Sequence, residues 1–119
     1  MAHHNALGQK GEQMAVEHLQ HNGYTILERN YRFNRAEVDI IARKGTTLAV
    51  VEVKTRSSND FGNPQDFVKP KQVKNLVKAV DEYVNSKNLL VDVRFDIMAI
   101  SKKGDRYAIE HLEDAFYHF

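Results

Sequence analysis

The sequence contains no cysteine, and this absence excludes disulfide frameworks, thiolate metal sites and cysteine nucleophiles. It also fits the reducing conditions of the cytoplasm. No apolar run approaches the roughly 20 residues that a membrane-spanning helix needs. The N-terminal Met-Ala-His-His-Asn lacks the basic stretch and apolar run of a secretion signal. We therefore expect a cytoplasmic protein without a membrane partner.

Proline and glycine are also scarce, with two and six residues, so the chain does not have the composition of a disordered or low-complexity segment. Hydrophobic residues make up 42% of it and charged residues 28%, which is typical of a folded globular protein. A chain of 119 residues can bury one hydrophobic core without disulfides. We expect a single domain that covers residues 1–119.

The net charge of +1 hides an uneven distribution along the chain. Residues 29–56 carry seven Lys or Arg against three Asp or Glu, and residues 69–88 carry five against two. A basic middle segment between slightly acidic ends suits a surface that binds a polyanion such as nucleic acid. Lysines that are simply solvated on a helix give the same count, so charge alone leaves both interpretations open.

Hydrophobic periodicity predicts two helices and five strands in the order αβββαββ. The helices are expected over residues 6–21 and from Pro70 to about Ser86. The strands are expected over residues 24–28, 37–43, 47–55, 91–101 and 106–111. Residues 30–35 are interpreted as a polar connection and residues 56–68 as a long loop. This order predicts an α/β fold whose mixed sheet carries helices on its faces, with the strand after the second helix parallel to an earlier one.

Two charged residues, Glu52 and Lys54, interrupt the otherwise apolar segment 48–54. Alternation along a strand places both on the same face as Leu48 and Val50, so that face changes from apolar to charged at its C-terminal end. A buried carboxylate is costly without a partner. Glu52 and Lys54 are therefore candidates for a functional site.

The preceding strand supplies a second carboxylate, Asp39. If residues 45 and 46 form a two-residue turn, the numbers of paired residues sum to 91, and Asp39 lies opposite Glu52 and Glu37 opposite Lys54. Directly opposed side chains have Cβ atoms about 5 Å apart. Alternation also predicts Glu37 and Asp39 on one face of the strand, with the apolar positions 38, 40 and 42 on the other.

Two carboxylates at this separation repel one another unless a cation or a shared proton offsets the repulsion. Mg²⁺ prefers oxygen ligands and is typically held by one or two carboxylates together with phosphate oxygens. We therefore expect Mg²⁺, or Mn²⁺, at this place, with Lys54 positioned to act on an attacking water. The alternative is structural: Glu37 and Lys54 form a cross-strand ion pair, while Asp39 and Glu52 lie at the strand ends in contact with water.

The spacing of Asp39 from Glu52-Val53-Lys54 resembles the PD-(D/E)xK signature of restriction-endonuclease-like nucleases. Val38 stands where that signature has proline, but proline is not a ligand and its absence costs little chemically. Short segments spread over nearly the whole chain carry a wider resemblance, and they are Gly8-Gln9-Lys10-Gly11-Glu12, Gly23-Tyr24, Arg29-Asn30-Tyr31-Arg32, Glu37-Val38-Asp39-Ile40-Ile41, Val51-Glu52-Val53-Lys54-Thr55-Arg56, Phe61-Gly62-Asn63-Pro64 and Arg94-Phe95-Asp96. Together they resemble the YraN family, which is similar in fold to archaeal Holliday-junction resolvases.

The resemblance implies a restriction-endonuclease-like fold and Mg²⁺-dependent hydrolysis of phosphodiester bonds in structured or duplex DNA. It implies that Asp39, Glu52 and the backbone carbonyl of Val53 bind the metal, that Lys54 is catalytic, and that Glu12 is the additional acid of the resolvase group. The implied products carry a 5′-phosphate and a 3′-hydroxyl. From its spacing Glu12 is expected on the core side of the first helix, and the alternative is an exposed glutamate favoured by the helix dipole.

Further polar side chains are candidates for contacts with phosphates, which position a duplex without reading its sequence. The candidates are Arg32, Arg35, Arg56, Lys71, Gln72 and Lys74, and each could equally be an ordinary surface residue. We expect nucleic acid, with DNA preferred, as the partner, and a homodimer because two sites then address two strands. The alternative functions are a noncatalytic nucleic-acid-binding module that retains the nuclease fold and an interaction protein that uses its aromatic C-terminus.

Overall fold

The computed structural model describes residues 6–57 and 68–115. Over these residues the chain forms two helices, α1 (Ala6–His21) and α2 (Pro70–Ser86). The strands are β1 (Thr25–Phe33), β2 (Ala36–Lys44), β3 (Thr47–Arg56), β4 (Asp92–Lys103) and β5 (Arg106–Leu112). This confirms the predicted order αβββαββ. The predicted loop at Phe61-Gly62-Asn63-Pro64 and the aromatic C-terminus at residues 116–119 lie outside the described residues.

The strands form one mixed sheet in the order β1-β2-β3-β4-β5. Neighbouring strands are antiparallel except for β3 and β4, which are parallel and are connected through α2. A parallel pair needs such a crossover, because a tight turn returns the chain in the opposite direction. The predicted parallel placement of the strand after the second helix is therefore confirmed.

The two helices pack on opposite faces of the sheet, each over its own hydrophobic cluster. α1 contributes Ala15 and Leu19 to a cluster that includes Val51 of β3. α2 contributes Leu76 to a second cluster that includes Val50 of the same strand. Successive residues of a strand point to opposite faces, so β3 is buried on both sides, as its apolar run predicts. Neither of the helices in residues 6–57 and 68–115 is long and apolar enough to cross a membrane.

The predicted connection over residues 30–35 is wrong, because β1 continues to Phe33 and only Asn34 and Arg35 turn the chain into β2. Within the described part of the chain, β1 is an edge of the sheet and pairs with β2 alone. Several of its residues are exposed, so the apolar alternation that signals a buried strand is missing from them. Polar side chains on an edge strand also discourage pairing with another chain.

The side-chain alternation of β2 breaks at Asp39. Val38 packs in the cluster on the α2 side, whereas Ile40 packs in the cluster on the α1 side. The prediction that positions 38, 40 and 42 share one face is therefore wrong for Val38. On β1, Asn30 lies between the partners of Ile40 and Val38 and has a positive φ of 53°. A left-handed residue inside a strand redirects the backbone, so both strands are irregular at the level of Asp39.

α1 approaches β3 closely at Gly11. A Cβ atom at this position would overlap the hydroxyl of Thr55 and lie 3.0 Å from its Cβ, so only glycine fits without displacing the helix. We expect Gly11→Ala to lower the free energy of unfolding by about 2 kcal/mol, because overpacking outweighs the gain in helix propensity. Urea denaturation followed by circular dichroism measures this change.

Gln9→Ala is the control for Gly11→Ala, because Gln9 is exposed on the same helix. It should change stability by less than about 0.5 kcal/mol. A double variant, Gly11→Ala with Thr55→Ala, should recover much of the loss because the obstructing hydroxyl is gone. A Gly11→Ala variant as stable as the wild type would contradict the close approach.

Candidate active site

The hairpin of β2 and β3 has the predicted register, because the residue numbers of every pair sum to 91. Its last pair, Ile40 with Val51, lies one position before Asp39 and Glu52. The two acids therefore oppose each other where regular main-chain pairing ends. Beyond this pair, hydrogen bonds between β2 and β3 involve the side chains of the two acids.

Each acid accepts a hydrogen bond from the backbone of the opposite strand. The N–H of Val53 donates to Asp39 Oδ2 at 2.8 Å, and the N–H of Asp39 donates to Glu52 Oε2 at 3.4 Å. Both acids are buried, with 4% of each residue exposed, so the alternative that places them in contact with water at the strand ends does not hold. The N–H and C=O of one strand residue point to the same side, so the Val53 carbonyl also points toward β2.

Glu52 is difficult to ionise in this environment. Burial is the larger cause and repulsion by Asp39 the second, and together they raise the pKa of Glu52 to about 8. Lys54 acts in the opposite direction, because its positive charge favours the ionised carboxylate. A divalent cation bound between Asp39 and Glu52 would offset both costs and release the proton.

We expect the metal-free protein to lose stability relative to a Glu52→Gln variant as the pH rises from about 5 to about 8. The unfolded chain ionises Glu52 near its ordinary pKa of 4.5, whereas the folded protein retains the proton until about pH 8. The unfolded state therefore binds fewer protons over this interval, and the free energy of unfolding falls as pH rises. The difference between the two proteins should change by up to about 4 kcal/mol.

Urea denaturation in EDTA at several pH values measures this difference. Glu110→Gln is the matched control, because it makes the same change at an exposed position of β5 and should change stability by less than about 0.5 kcal/mol. Parallel pH profiles for Glu52→Gln and the wild type would contradict the raised pKa of Glu52.

The two acids line a cavity of about 450 Å³ that exposed cations surround. Lys54 is half-buried in its wall. Gln72, at the start of α2, donates from Nε2 to Glu52 Oε1 at 3.4 Å. The exposed cations in the lining are Arg35, Lys69 and Lys71. Buried acids next to exposed cations can hold a metal ion and an anionic ligand side by side.

The available ligands fit a hard cation that retains several waters. Among residues 6–57 and 68–115, no group of three or more His, Cys, Asp or Glu side chains is placed to hold a metal ion. The protein ligands would therefore be Asp39, Glu52 and the carbonyl of Val53. This set suits Mg²⁺, which commonly binds one or two carboxylates and completes its shell with water and phosphate oxygens. It does not suit structural zinc, which takes four ligands that are mostly nitrogen or sulfur.

Comparison with known proteins identifies the family. A model of the uncharacterised protein family UPF0102 matches residues 11–100, which is most of the chain. The chain belongs to family UPF0102. UPF0102 proteins of Christiangramia forsetii and Flavobacterium psychrophilum are each 60% identical to it over 119 residues, and the match covers 100% of both chains. One from Bacteroides fragilis is 44% identical over 117 residues, 98% of this chain and 97% of the relative.

Membership of UPF0102 confirms the resemblance to YraN-like proteins at the level of the family. The names of these relatives state no activity. Function is therefore inferred from the site of the UPF0102 protein and the residues around it.

In this UPF0102 protein Glu12 is buried but does not line the cavity. Its Oε1 accepts hydrogen bonds from Arg29 Nη2 and Asn30 Nδ2, both at 3.1 Å. Its Oε2 is buried without a hydrogen-bond partner among the described residues. The prediction that Glu12 faces the core is confirmed, and the alternative of an exposed glutamate is wrong. Through Asn30, Glu12 supports the irregular backbone beside Asp39.

The cross-strand ion pair of the structural alternative is not formed in the described part of this UPF0102 protein. Glu37 faces Arg32 instead, with 3.7 Å between Oε2 and Nε. Glu37 and Lys54 both line the cavity. The charges of Lys54 and Glu37 also act on Glu52 with opposite effects on its pKa.

The predicted nucleic-acid contacts of the UPF0102 protein fall into two groups. Those that line the cavity are Arg35, Lys71 and Gln72. Those that are exposed elsewhere are Arg32, Arg56 and Lys74. Lys69 and Asn75 also line the cavity, although the sequence did not predict them as site residues. Asn75 comes four residues after Lys71 on α2, so helical spacing was a signal that could have found it.

Proposed function

We propose that this UPF0102 protein is an Mg²⁺- or Mn²⁺-dependent endonuclease that hydrolyses phosphodiester bonds in structured or duplex DNA. The observation that carries the proposal is the pair of buried carboxylates, Asp39 and Glu52, in one cavity with the amine of Lys54. Two acids and a lysine on adjoining strands match the PD-(D/E)xK signature. This match supports the proposal that the mixed sheet belongs to the restriction-endonuclease-like superfamily.

A divalent ion fits this pair because it offsets the repulsion and burial that keep Glu52 from ionising. Hydrogen bonds orient both acids in advance, since Val53 donates to Asp39 and Gln72 donates to Glu52. When bound, Mg²⁺ would lower the pKa of a coordinated water and stabilise negative charge on phosphate oxygens. The site is therefore organised before metal and substrate bind.

Lys54 supplies a positive charge next to the acids. It lies two residues after Glu52, and its charge acts on that carboxylate. An ammonium group here can orient an attacking water and neutralise charge that develops on the phosphate. The expected products carry a 5′-phosphate and a 3′-hydroxyl.

The exposed cations around the cavity supply the contacts with DNA. Arg35 extends from the turn between β1 and β2, while Lys69 and Lys71 lie at the start of α2. Contacts from these side chains to phosphates would hold the backbone over the acids without reading its sequence. Binding should therefore weaken strongly as salt is raised.

The proposal is tested by incubating metal-free protein with labelled DNA, with and without Mg²⁺ or Mn²⁺. The substrates are a linear duplex, a flapped duplex and a four-way junction. We expect cleavage only when metal is present, and Asp39→Asn should lose both the cleavage and the calorimetric signal of metal binding. Failure to cleave any of these substrates, by wild-type protein that binds the metal, would overturn the proposal.

A noncatalytic nucleic-acid-binding module is the second candidate. The limited ligand set favours it, because no third acidic or histidine ligand joins the two carboxylates within the described ranges. It predicts salt-sensitive DNA binding that EDTA does not change, without cleavage. Binding titrations in EDTA, run beside the cleavage assay, separate the two candidates. Light scattering of the same protein tests the predicted homodimer.

A further inference from the structure

A second cavity, of about 370 Å³, adjoins the first at the turn between β1 and β2. We call it the hairpin cavity, and its lining is Phe33, Asn34, Arg35, Ala36, Asn75 and Lys78. Arg35, Ala36 and Asn75 also line the cavity of the two acids, so the two cavities share a wall. Pockets of this volume commonly hold small organic groups.

Phe33 gives the hairpin cavity an aromatic surface that the core does not use. The residue is half-buried, yet it belongs to neither hydrophobic cluster. Among the described residues its ring makes no contact with another aromatic ring. A large apolar ring in a cavity wall, outside the packed core, is available to a flat ligand.

The polar side chains around this ring are available as well. Within the described ranges Asn34, Arg35, Asn75 and Lys78 make no side-chain hydrogen bond or ion pair. Among residues 6–57 and 68–115, no carboxylate lines the hairpin cavity, in contrast to its neighbour. The hairpin cavity therefore favours an anionic ligand, whereas the neighbouring cavity with its acids favours a cation.

A ring, two amides and two cations together match the parts of a nucleotide. Bases stack on aromatic side chains, and this stacking tolerates any sequence because every base has a π face. The amides of Asn34 and Asn75 can donate to and accept from the edges of a base. The charges of Arg35 and Lys78 suit a phosphate.

We propose that the hairpin cavity binds one unpaired nucleotide adjacent to the phosphodiester bond held at Asp39 and Glu52. The inference rests on the proposed function and narrows its substrate to DNA with an unpaired nucleotide beside the cleavage position, as in a flap or a gap. A base inside a duplex is stacked between its neighbours and must leave the stack before it can lie on Phe33. DNA that already has a free base avoids that cost.

The test measures binding in EDTA, where no cleavage is expected. One DNA is a flapped duplex with 2-aminopurine at the first unpaired position, and the other is a blunt duplex of the same paired sequence. We expect quenching of the 2-aminopurine fluorescence and tighter binding of the flapped DNA. Phe33→Leu should weaken binding of the flapped DNA by about 5- to 100-fold and leave binding of the blunt duplex unchanged.

Two further variants keep the test independent of any loss of folding in Phe33→Leu. Phe33→Trp should retain the affinity, and because the chain has no other tryptophan, its fluorescence should change when a base stacks on it. Lys78→Gln should reduce the slope of log affinity against log salt by about 1. Tyr107→Leu, an aromatic change on β5 outside both cavities, is the matched control and should bind like the wild type.

Equal affinity for flapped and blunt DNA, or full affinity in folded Phe33→Leu, would overturn the nucleotide site even if Mg²⁺-dependent cleavage is observed. Binding that requires Phe33, with no cleavage in Mg²⁺, would support this site and overturn the proposed catalysis. The failure of one proposal is thus distinguishable from the failure of the other.

Discussion

Replacing Lys54 with methionine is expected to lower the rate of metal-dependent DNA cleavage by about 100- to 1,000-fold. Methionine keeps an unbranched, flexible side chain but carries no charge, so the change isolates the contribution of the ammonium group. Lys54 is half-buried beside Glu52, where its charge is screened less than in bulk water. Cleavage of flapped DNA under single-turnover conditions measures the chemical step separately from product release.

Lys103→Met is the matched control, because it makes the same change at an exposed position, at the end of β4, outside the cavity lining. It should leave the cleavage rate nearly unchanged. Calorimetry should still detect metal binding in Lys54→Met, since Asp39 and Glu52 remain. Cleavage by Lys54→Met at the wild-type rate would remove Lys54 from the chemistry and leave only the carboxylates as candidates.

The meeting of Asp39 and Glu52 could be predicted from sequence because two local rules agree. The short turn at Gly45, which has a positive φ of 61°, fixes which residues of the hairpin face each other. Charged residues inside the apolar run of β3 indicated a functional site at that end of the hairpin, because hydrophobic packing does not explain them. Both signals lie within about 20 residues of sequence, so no knowledge of the tertiary structure was required.

The irregular backbone beside Asp39 could not be predicted in the same way. It depends on the left-handed conformation of Asn30, whose side chain donates to Glu12 of α1. That contact joins residues 18 apart in sequence and exists only when the helix lies on the sheet. A period-two pattern assumes regular strands, so it gave Val38 the wrong face.

The residues of α2 that line the two cavities could be predicted only in part. Helical spacing places Lys71, Asn75 and Lys78 on one side of the helix. It does not tell which part of the sheet that side faces. Residues 30–35 were interpreted as a polar connection, so the end of β1 and the short turn at Arg35 were not predicted. This turn forms the opposite wall of the hairpin cavity. The hairpin cavity could therefore not be predicted, because it depends on how α2 and the turn between β1 and β2 lie relative to each other in the folded chain.

A fourth buried acid, Asp96 of β4, serves the fold and does not line the cavity. Its carboxylate contacts Arg94 Nη2 and His111 Nε2, each at 2.8 Å, and accepts a hydrogen bond from the N–H of Asp114 at 3.0 Å. Burial opposes ionisation, but the hydrogen bonds from His111, Arg94 and Asp114 prevail and lower the pKa of Asp96. One side chain thereby connects β4, β5 and the residues that follow β5.

Asp96→Ala is expected to lower the free energy of unfolding at pH 7 by about 3 kcal/mol, because it leaves several donors without their shared acceptor. The lowered pKa sets the pH dependence. Asp96 stabilises the fold above its ordinary pKa of 3.8, and this contribution is lost as the pH falls through the lower value of the folded state. The difference between wild type and variant should therefore shrink below about pH 4, which urea denaturation at neutral and acidic pH measures.

Asp105→Ala is the control for Asp96→Ala, because Asp105 is exposed in the turn between β4 and β5 and its loss should cost less than about 0.5 kcal/mol. Cleavage per folded molecule should persist in Asp96→Ala, since Asp96 does not line the cavity. Lys54→Met should show the opposite pattern, with stability kept and cleavage lost. A variant of Asp96 that keeps its stability but loses cleavage would mean that the site extends beyond the acids of β2 and β3.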